Sequence, residues 1–194
     1  MKIKIFIISL LAACVMLVSC SELSSIASQV KGVANLANCK FALKNVSNIT
    51  LAGVNLKQIT SGKISVADGL LLTTAVLQKS VPLAMNVNVN VTNPTKQQAN
   101  VTKMDWTLGI EGTQVAQGVN TASCVVPANA TAIVPVGVAT DVYQLFSSRG
   151  VESLKSFAGS FKSGGVSSKM DFRIRPYVVI AGHNVGTPSY IKVI

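Results

Sequence analysis

Few residues of this sequence have the type and spacing that catalysis requires. His183 is the only histidine among 194 residues, so it is the only imidazole that could act as a base beside a nucleophilic side chain. It lies in a Gly-His-Asn turn signal, which is typical of an exposed loop. Asp105 and Glu111 lie on one predicted strand, about 20 Å apart if the strand is regular, whereas the paired carboxyls of glycosidases lie within ~5–10 Å. The sequence therefore predicts a protein that is not an enzyme.

Cys20 is the residue with the clearest chemistry. Lys2 and Lys4 precede an apolar-dominated stretch, residues 5–18, which is shorter than the ~20 residues that a membrane-spanning helix needs. A charged start, a short apolar stretch and a small residue before a cleavage point are the parts of a secretory signal peptide. The string LVSC, which ends at Cys20, resembles the bacterial lipobox. That resemblance implies cleavage before Cys20 and a diacylglyceryl group on its thiol.

The predicted lipid site also indicates how the chain is divided into segments and where in the cell the protein is located. Residues 1–19 are the predicted lipoprotein signal peptide, residues 20–38 a tether or a short helix, and residues 39–194 a single folded domain. Two or three acyl chains hold a protein firmly, because each buried methylene contributes about 0.8 kcal/mol. We therefore expect a lipid-anchored protein of the cell envelope, in the outer membrane, that does not itself span the bilayer.

Cys39 and Cys124 are the thiols that remain in the mature chain beside Cys20. An oxidising compartment permits a disulfide between them, but an unpaired cysteine is commonly a small buried apolar residue, so both alternatives stay open. The sequence has no CxxC string and a single histidine, which is unlike the ligand sets of metal sites. We expect neither a metal nor a cofactor.

The mature chain is basic. Without Lys2 and Lys4, fifteen basic residues stand against seven acidic ones, a formal charge of +8. The lysines are dispersed, which favours a solvated surface over a dedicated basic patch, and an exported chain is not expected to meet nucleic acid. The alternative is attraction to an anionic envelope polysaccharide or lipid, with Arg173 and Arg175 as the candidate anion-binding residues.

Residues 83–112 contain the strongest structural pattern, which is period two in two successive arms. Apolar residues alternate with polar ones from Leu83 to Val91 and again from Met104 to Ile110. Successive strand side chains point to opposite faces, so each arm has one apolar and one polar face, as in an antiparallel sheet that is packed on one side. This pattern predicts a β-sandwich.

Individual residues predict the helix, the edge strand and a core position of this sandwich. Asp68 is predicted to be the N-cap of a helix that runs to Lys79 and is stopped by Pro82, and the run 54–59 is predicted to be a strand. Pro135 indicates an edge strand, because proline has no N–H to donate to a ladder. Further predictions are a core position for Trp106, helical turns at 151–157 and a last strand at 189–194. Asn86, Asn88 and Asn90 form a polar ladder that is either an ordinary sheet face or, as the alternative, a carbohydrate-binding surface.

The central region carries a family resemblance. Asn93-Pro94 follows a strand, Glu111-Gly112 makes a turn, Gly118 comes close behind, and a strand ends at Val126-Pro127 before the VPVGV string. This ordered set, over about residues 83–141, resembles the late embryogenesis abundant type 2 (LEA-2, or WHy) domain. The flanking strings CKFALKNV, LAGVNL and PSYIKVI are similar to lipoproteins of Bacteroidetes type that carry this domain.

The resemblance implies a mainly β fold: an immunoglobulin-like antiparallel sandwich with one or two short helices and no known active site. It implies a structural corner at Asn93 and Pro94, and a role in stress protection or in loosely defined binding. The leading hypothesis is therefore a membrane-anchored envelope lipoprotein with a non-catalytic structural or binding domain. The alternative is a binding module for an anionic glycan or lipid.

Overall fold

The computed structural model describes residues 34–110, 112–146 and 170–194. The predicted signal peptide, Cys20 and the helical turns at 151–157 lie outside the described residues. The strands are β1 (Lys40–Leu51), β2 (Val54–Asn55), β3 (Pro82–Asn93), β4 (Ala99–Val101), β5 (Lys103–Ile110), β6 (Thr113–Asn120), β7 (Cys124–Val126), β8 (Ala130–Asp141), β9 (Met170–Ile180), β10 (His183–Gly186) and β11 (Ile191–Lys192). The helices are α1 (Leu56–Ser61), α2 (Val66–Leu77) and α3 (Tyr143–Phe146), and residues 34–38 are also helical.

The strands form two main antiparallel sheets. One sheet has the order β2-β1-β3-β8, and the other has the order β10-β9-β5-β6, with β11 also paired to β9. A third, two-stranded sheet joins β4 to β7. The antiparallel β-sandwich that the sequence predicted is confirmed.

The core lies between the apolar faces of the two sheets. On β3 every second side chain from Leu83 to Val91 is buried, and on β5 the same holds from Met104 to Ile110. The period-two prediction is therefore confirmed in both arms. Trp106 lies in this core and stacks on Phe172 of β9, with ring centroids 5.9 Å apart. Each such large side chain contributes about 1.5–3 kcal/mol through removal from water.

The sandwich is also tied together along one side, where the edges of the two sheets meet. Pro135 lies on β8, an edge strand of the first sheet, so the edge prediction is confirmed. Its carbonyl accepts a hydrogen bond of 2.9 Å from the Asn120 amide of β6. Thr140 of β8 donates a second bond, of 3.2 Å, to the Val115 carbonyl. These bonds join edge strands from different sheets.

The helix boundaries differ from the prediction. Ser65, not Asp68, is the N-cap of α2: the Ser65 hydroxyl accepts a bond from the Asp68 N–H, and the Asp68 carboxylate accepts one from the Ser65 N–H. This reciprocal pair is a capping box, in which the acidic residue stands three positions after the cap. The helix ends at Leu77, and Lys79 adopts a left-handed conformation with φ 55° beyond it.

Two predicted strands are also shorter than expected. The predicted strand over 54–59 ends at Asn55, because the Asn55 side chain accepts a bond of 2.9 Å from the Lys57 N–H and starts α1. The last strand covers only β11, although Val193 and Ile194 still donate backbone hydrogen bonds to the Phe172 carbonyl.

Candidate functional site

Asn93 is the one fully buried polar residue of the described core. It ends β3, and its amide nitrogen lies 2.7 Å from the Gln97 carbonyl, 3.2 Å from that of Val126 and 3.1 Å from that of Pro127. Its amide oxygen accepts bonds of 3.0 and 2.8 Å from the N–H and the hydroxyl of Thr95. Because donors and acceptor are all engaged, a ligand would find no unused group on this side chain.

The contacts of Asn93 join three segments that are distant along the chain. They link the end of β3, the loop that follows Pro94, and the connection from β7 to β8. The turn from Asn93 to Thr95 is an Asx turn, and the ring of Pro94 holds φ near the value such a turn needs. A further backbone bond, from Asn129 N–H to the Thr95 carbonyl, lies beside it. We name this arrangement the Asn93 corner.

The outer side of the second sheet carries several charged side chains. The strand register sets Lys103 of β5 opposite Tyr177 of β9, and Asp105 opposite Arg175. Lys192 of β11 lies opposite Arg173. Alternation along β9 adds Asp171 to the same side, since it is two positions from Arg173. We name this surface the polar face, with these members: Lys103, Asp105, Asp171, Arg173, Arg175, Tyr177 and Lys192.

Arg173, a predicted anion-binding residue, is paired within the protein. Its guanidinium donates two hydrogen bonds, of 2.8 and 2.9 Å, to the two oxygens of Asp171. The Lys192 ammonium lies 3.8 Å from the same carboxylate. The bond from Arg173 lowers the pKa of Asp171; burial opposes it less strongly, and the charges of Arg173 and Lys192 lower the pKa further. Asp171 therefore offsets part of the positive charge here, and Arg173 keeps about half of its side chain exposed (53%).

Arg175, the second predicted residue, belongs to a network around Tyr177. Its Nε donates to the Thr187 carbonyl at 2.8 Å, and its guanidinium carbon lies 5.5 Å from the centre of the Tyr177 ring. The Lys103 ammonium lies 4.5 Å from the centre of that ring. Both distances are within the range of cation–π attraction. The aromatic ring thus holds two cations on one sheet surface.

Asp105 completes this network. It accepts a hydrogen bond of 2.6 Å from the Tyr177 hydroxyl and lies 3.0 Å from the Lys103 ammonium. Burial disfavours the charged carboxylate, but the Tyr177 hydrogen bond, the nearby Lys103 ammonium and the Arg175 charge together outweigh it and lower the pKa of Asp105. The same bond raises the pKa of Tyr177. At neutral pH Asp105 is therefore an ionised carboxylate and Tyr177 a protonated phenol. The proton of their hydrogen bond stays on the Tyr177 oxygen.

The remaining candidates lie apart from one another. The Asn ladder is half-buried on β3, and the Asn88 amide donates to the Asn45 oxygen at 2.7 Å and to the Ser47 hydroxyl at 3.1 Å. Cys39 and Cys124 are free thiols. Burial raises the pKa of each, which keeps them protonated and weakly reactive.

No group of three or more His, Cys, Asp or Glu side chains within the ranges 34–110, 112–146 and 170–194 could hold a metal ion. No helix in the same ranges is both long enough and apolar enough to cross a bilayer.

The fold and the Asn93 corner define the class of protein. It is a small antiparallel β-sandwich in which the Asn of an Asn-Pro motif is buried and hydrogen-bonded to the protein's own backbone. The family model described as "Late embryogenesis abundant protein" (LEA-2) matches residues 88–185, about half of the chain. The chain therefore belongs to the late embryogenesis abundant type 2 family. The match includes the Asn93 corner and most of the polar face, and it continues to residue 185, past the end of the region 83–141 over which the sequence resembles the domain.

Several solved structures share similarity with the chain at low identity. A solution structure of a putative late embryogenesis abundant protein is 14% identical, covers 95% of this chain and 88% of its own, and has a TM-score of 0.36. A protein from Archaeoglobus fulgidus is 12% identical, with coverages of 57% and 82% and a TM-score of 0.37. A structural genomics target is 7% identical, with coverages of 81% and 87% and a TM-score of 0.41. No curated protein matches the sequence.

Proposed function

We propose that the protein is a lipoprotein of the cell envelope, anchored through Cys20, whose LEA-2 domain has a non-catalytic structural or stress-protective role. The observation that carries the anchor is the LVSC string directly after the apolar stretch 5–18. A cysteine at this place, behind a stretch too short to span a bilayer, fits a lipid anchor better than a helical one.

The arrangement of the domain supports a structural role. The Asn93 corner leaves no polar group of the Asn93 side chain free for a ligand, because each is bonded to the protein. The domain also begins soon after Cys20: Leu36 is already buried in the core, and Asn35 donates to the Gln98 carbonyl at 3.4 Å. A short spacer would therefore hold the sandwich close to the membrane.

The anchor predicts a specific labelling result. In cells grown with labelled palmitate, the wild-type protein should carry the label and the Cys20→Ala variant should lose it, because no thiol remains at the acylation position. Cys124→Ala is the matched control and should label as strongly as the wild type. Equal labelling of the Cys20→Ala variant would contradict the proposal. Immunoblots of the same samples separate lost acylation from lost protein.

A second candidate is binding of an anionic envelope polysaccharide or lipid by the polar face. The observation in its favour is the charge balance: four cations (Lys103, Arg173, Arg175 and Lys192) share one sheet surface with two carboxylates (Asp105 and Asp171). Such an excess attracts anions at low ionic strength and is screened within about 10 Å at 0.1 M salt.

Dextran sulfate is a suitable probe of this second candidate. The Arg173→Gln, Arg175→Gln double variant should bind it more weakly than the wild type by several fold, and raising the salt concentration should remove the difference. The control variant, Lys57→Gln with Lys96→Gln, loses the same charge from exposed positions outside the polar face. An equal loss in both variants would show a general charge effect and contradict a site on the polar face.

A further inference from the structure

The short helix at residues 34–38 is buried on one side and exposed on another. Leu36 is 2% exposed, and Cys39, which directly follows the helix, is 8% exposed. Ala34 and Ala37 are exposed to solvent. Leu36 therefore marks the side of the helix that packs on the sandwich, and Ala37 marks the side that faces away from it.

The sequence before this helix continues its two sides differently. Helical residues that are four, seven, eleven and fourteen positions apart lie on one side. At these distances before Ala37 stand four apolar residues, which we name the tether stripe: Val33, Val30, Ile26 and Leu23. At the same distances before Leu36, no residue has an apolar side chain: Gly32, Gln29, Ser25 and Glu22. A helix that continued back to residue 22 would therefore carry its apolar side chains on the side that faces away from the sandwich.

A helix of this kind needs an apolar partner. An isolated helix of about sixteen residues is marginal in water, and Gly32 weakens it further. The sandwich is not this partner, because it already packs against the side of the helix that carries Leu36. Cys20 stands three residues before Leu23, so an acyl group on its thiol would hold the tether stripe beside lipid.

We propose that residues 22–38 form one amphipathic helix that lies in the membrane surface. The tether stripe enters the boundary between headgroups and acyl chains, as the apolar side of an interfacial helix does, while Leu36 keeps the other side in the sandwich. Residues 22–33 lie outside the described residues, so their helical form is part of the proposal. The domain is then held by a helix about 20 Å long and not by a flexible linker. This step rests on the proposed function, because the acyl group on Cys20 supplies the nearby membrane.

A partition measurement tests the contact without the acyl group. The mature chain with Cys20→Ser is mixed with phosphatidylcholine vesicles, which have no net charge and suit a segment 20–33 whose one acidic and one basic residue cancel. The fraction that sediments with the vesicles gives a partition coefficient. Ile26→Ser with Val30→Ser should lower it about tenfold or more, because two apolar side chains no longer leave water. Serine has a helix propensity close to those of isoleucine and valine, so the loss reports on the apolar contact.

Ser24→Gln with Ser28→Gln is the matched control. These two residues lie off the tether stripe on the same helix, so the partition coefficient should stay within about twofold of the wild type. Equal partition of the wild type and the Ile26→Ser, Val30→Ser variant would overturn the proposal. Palmitate labelling at Cys20 is judged separately: a missing label together with the expected partition difference would overturn the anchor and support the tether stripe.

Spin labels test which side of the helix meets the lipid. In the acylated protein with Cys124→Ala, reconstituted in the same vesicles, a nitroxide is attached to Val30→Cys or to Ser28→Cys, and the parent variant controls for labelling of the buried Cys39. The label at position 30 should be accessible to dissolved oxygen, which concentrates among acyl chains, and the label at position 28 to a water-soluble nickel chelate. Equal accessibilities at the two positions would contradict the helix. Exclusion of both reagents from position 30 would mean that protein or a second copy covers the stripe, which would also overturn the proposal.

Discussion

Replacing Asn93 by alanine is expected to lower the free energy of unfolding by about 3–5 kcal/mol, because it leaves several buried polar groups without partners. The carbonyls of Val126 and Pro127 lose the Asn93 donor, and the Thr95 N–H loses its acceptor, whereas the Thr95 hydroxyl and the Gln97 carbonyl stay bonded to each other at 2.8 Å. The residue itself is 0% exposed, so water does not replace these bonds without opening the corner. Urea unfolding followed by circular dichroism measures the change.

Asn88→Ala is the matched control for this prediction. It removes the same side chain from the same strand, but the amide of Asn88 donates to the side chains of Asn45 and Ser47 on a half-buried surface. Its expected cost is about 1 kcal/mol or less. Similar losses in the two variants would contradict a special role for the Asn93 corner.

A charge substitution at the same position adds a pH dependence. Asn93→Asp keeps acceptors but places an ionised carboxylate against three carbonyl oxygens, so its pKa in the folded state should be raised above that of the unfolded chain. A group with a raised folded pKa stabilises the protein below the unfolded pKa, about 4 for Asp, and this contribution is lost as the pH rises through the folded pKa. The variant should therefore be least stable, relative to wild type, at neutral pH and should recover in acid.

The features that sequence predicts well are those governed by local periodicity. The alternation on β3 and β5 shows directly which side chains are buried, and Pro135 identifies an edge, because each depends only on neighbours along one strand. The prediction that Asp68 is the N-cap of α2 is wrong for a reason that is also local. Both an N-cap and the third residue of a capping box favour a carboxylate near the helix start, so Asp68 is compatible with either position, and only the geometry of Ser65 selects the second.

The polar face illustrates what sequence alone does not contain. Arg173 and Arg175 stand out because they alternate, yet their partners depend on the register between β5 and β9, whose paired residues are some seventy positions apart, as with Asp105 and Arg175. Pairing over that distance is fixed by the whole core. The bond from Tyr177 to Asp105 therefore has no sequence signal of its own, although the alternation of both strands limits which residues can share that side.

The requirement for glycine at position 118 also depends on strand register. Replacing Gly118 is the second substitution for which we expect a large loss of stability. The register sets Gly118 of β6 opposite Trp106 of β5, and a β-carbon at Gly118 would lie 2.5 Å from Cζ2 and 2.7 Å from Cε2 of the indole. The indole has little room to move, because it is buried and stacked on Phe172. Gly118→Ala should therefore lower the free energy of unfolding by about 2–3 kcal/mol, as overpacked cores do.

Gly137→Ala on β8 is the control, since no atom lies within 4 Å of the β-carbon it would add. That variant should change stability by about 0.5 kcal/mol or less. The decisive measurement is a double-mutant cycle with Trp106→Phe, which removes the indole atoms that the new methyl would meet. If the clash is the cause, Gly118→Ala should cost about 1–2 kcal/mol less in the Trp106→Phe background than in the wild type. An equal cost in both backgrounds would contradict a clash with the indole and would show that the alanine acts through the strand backbone.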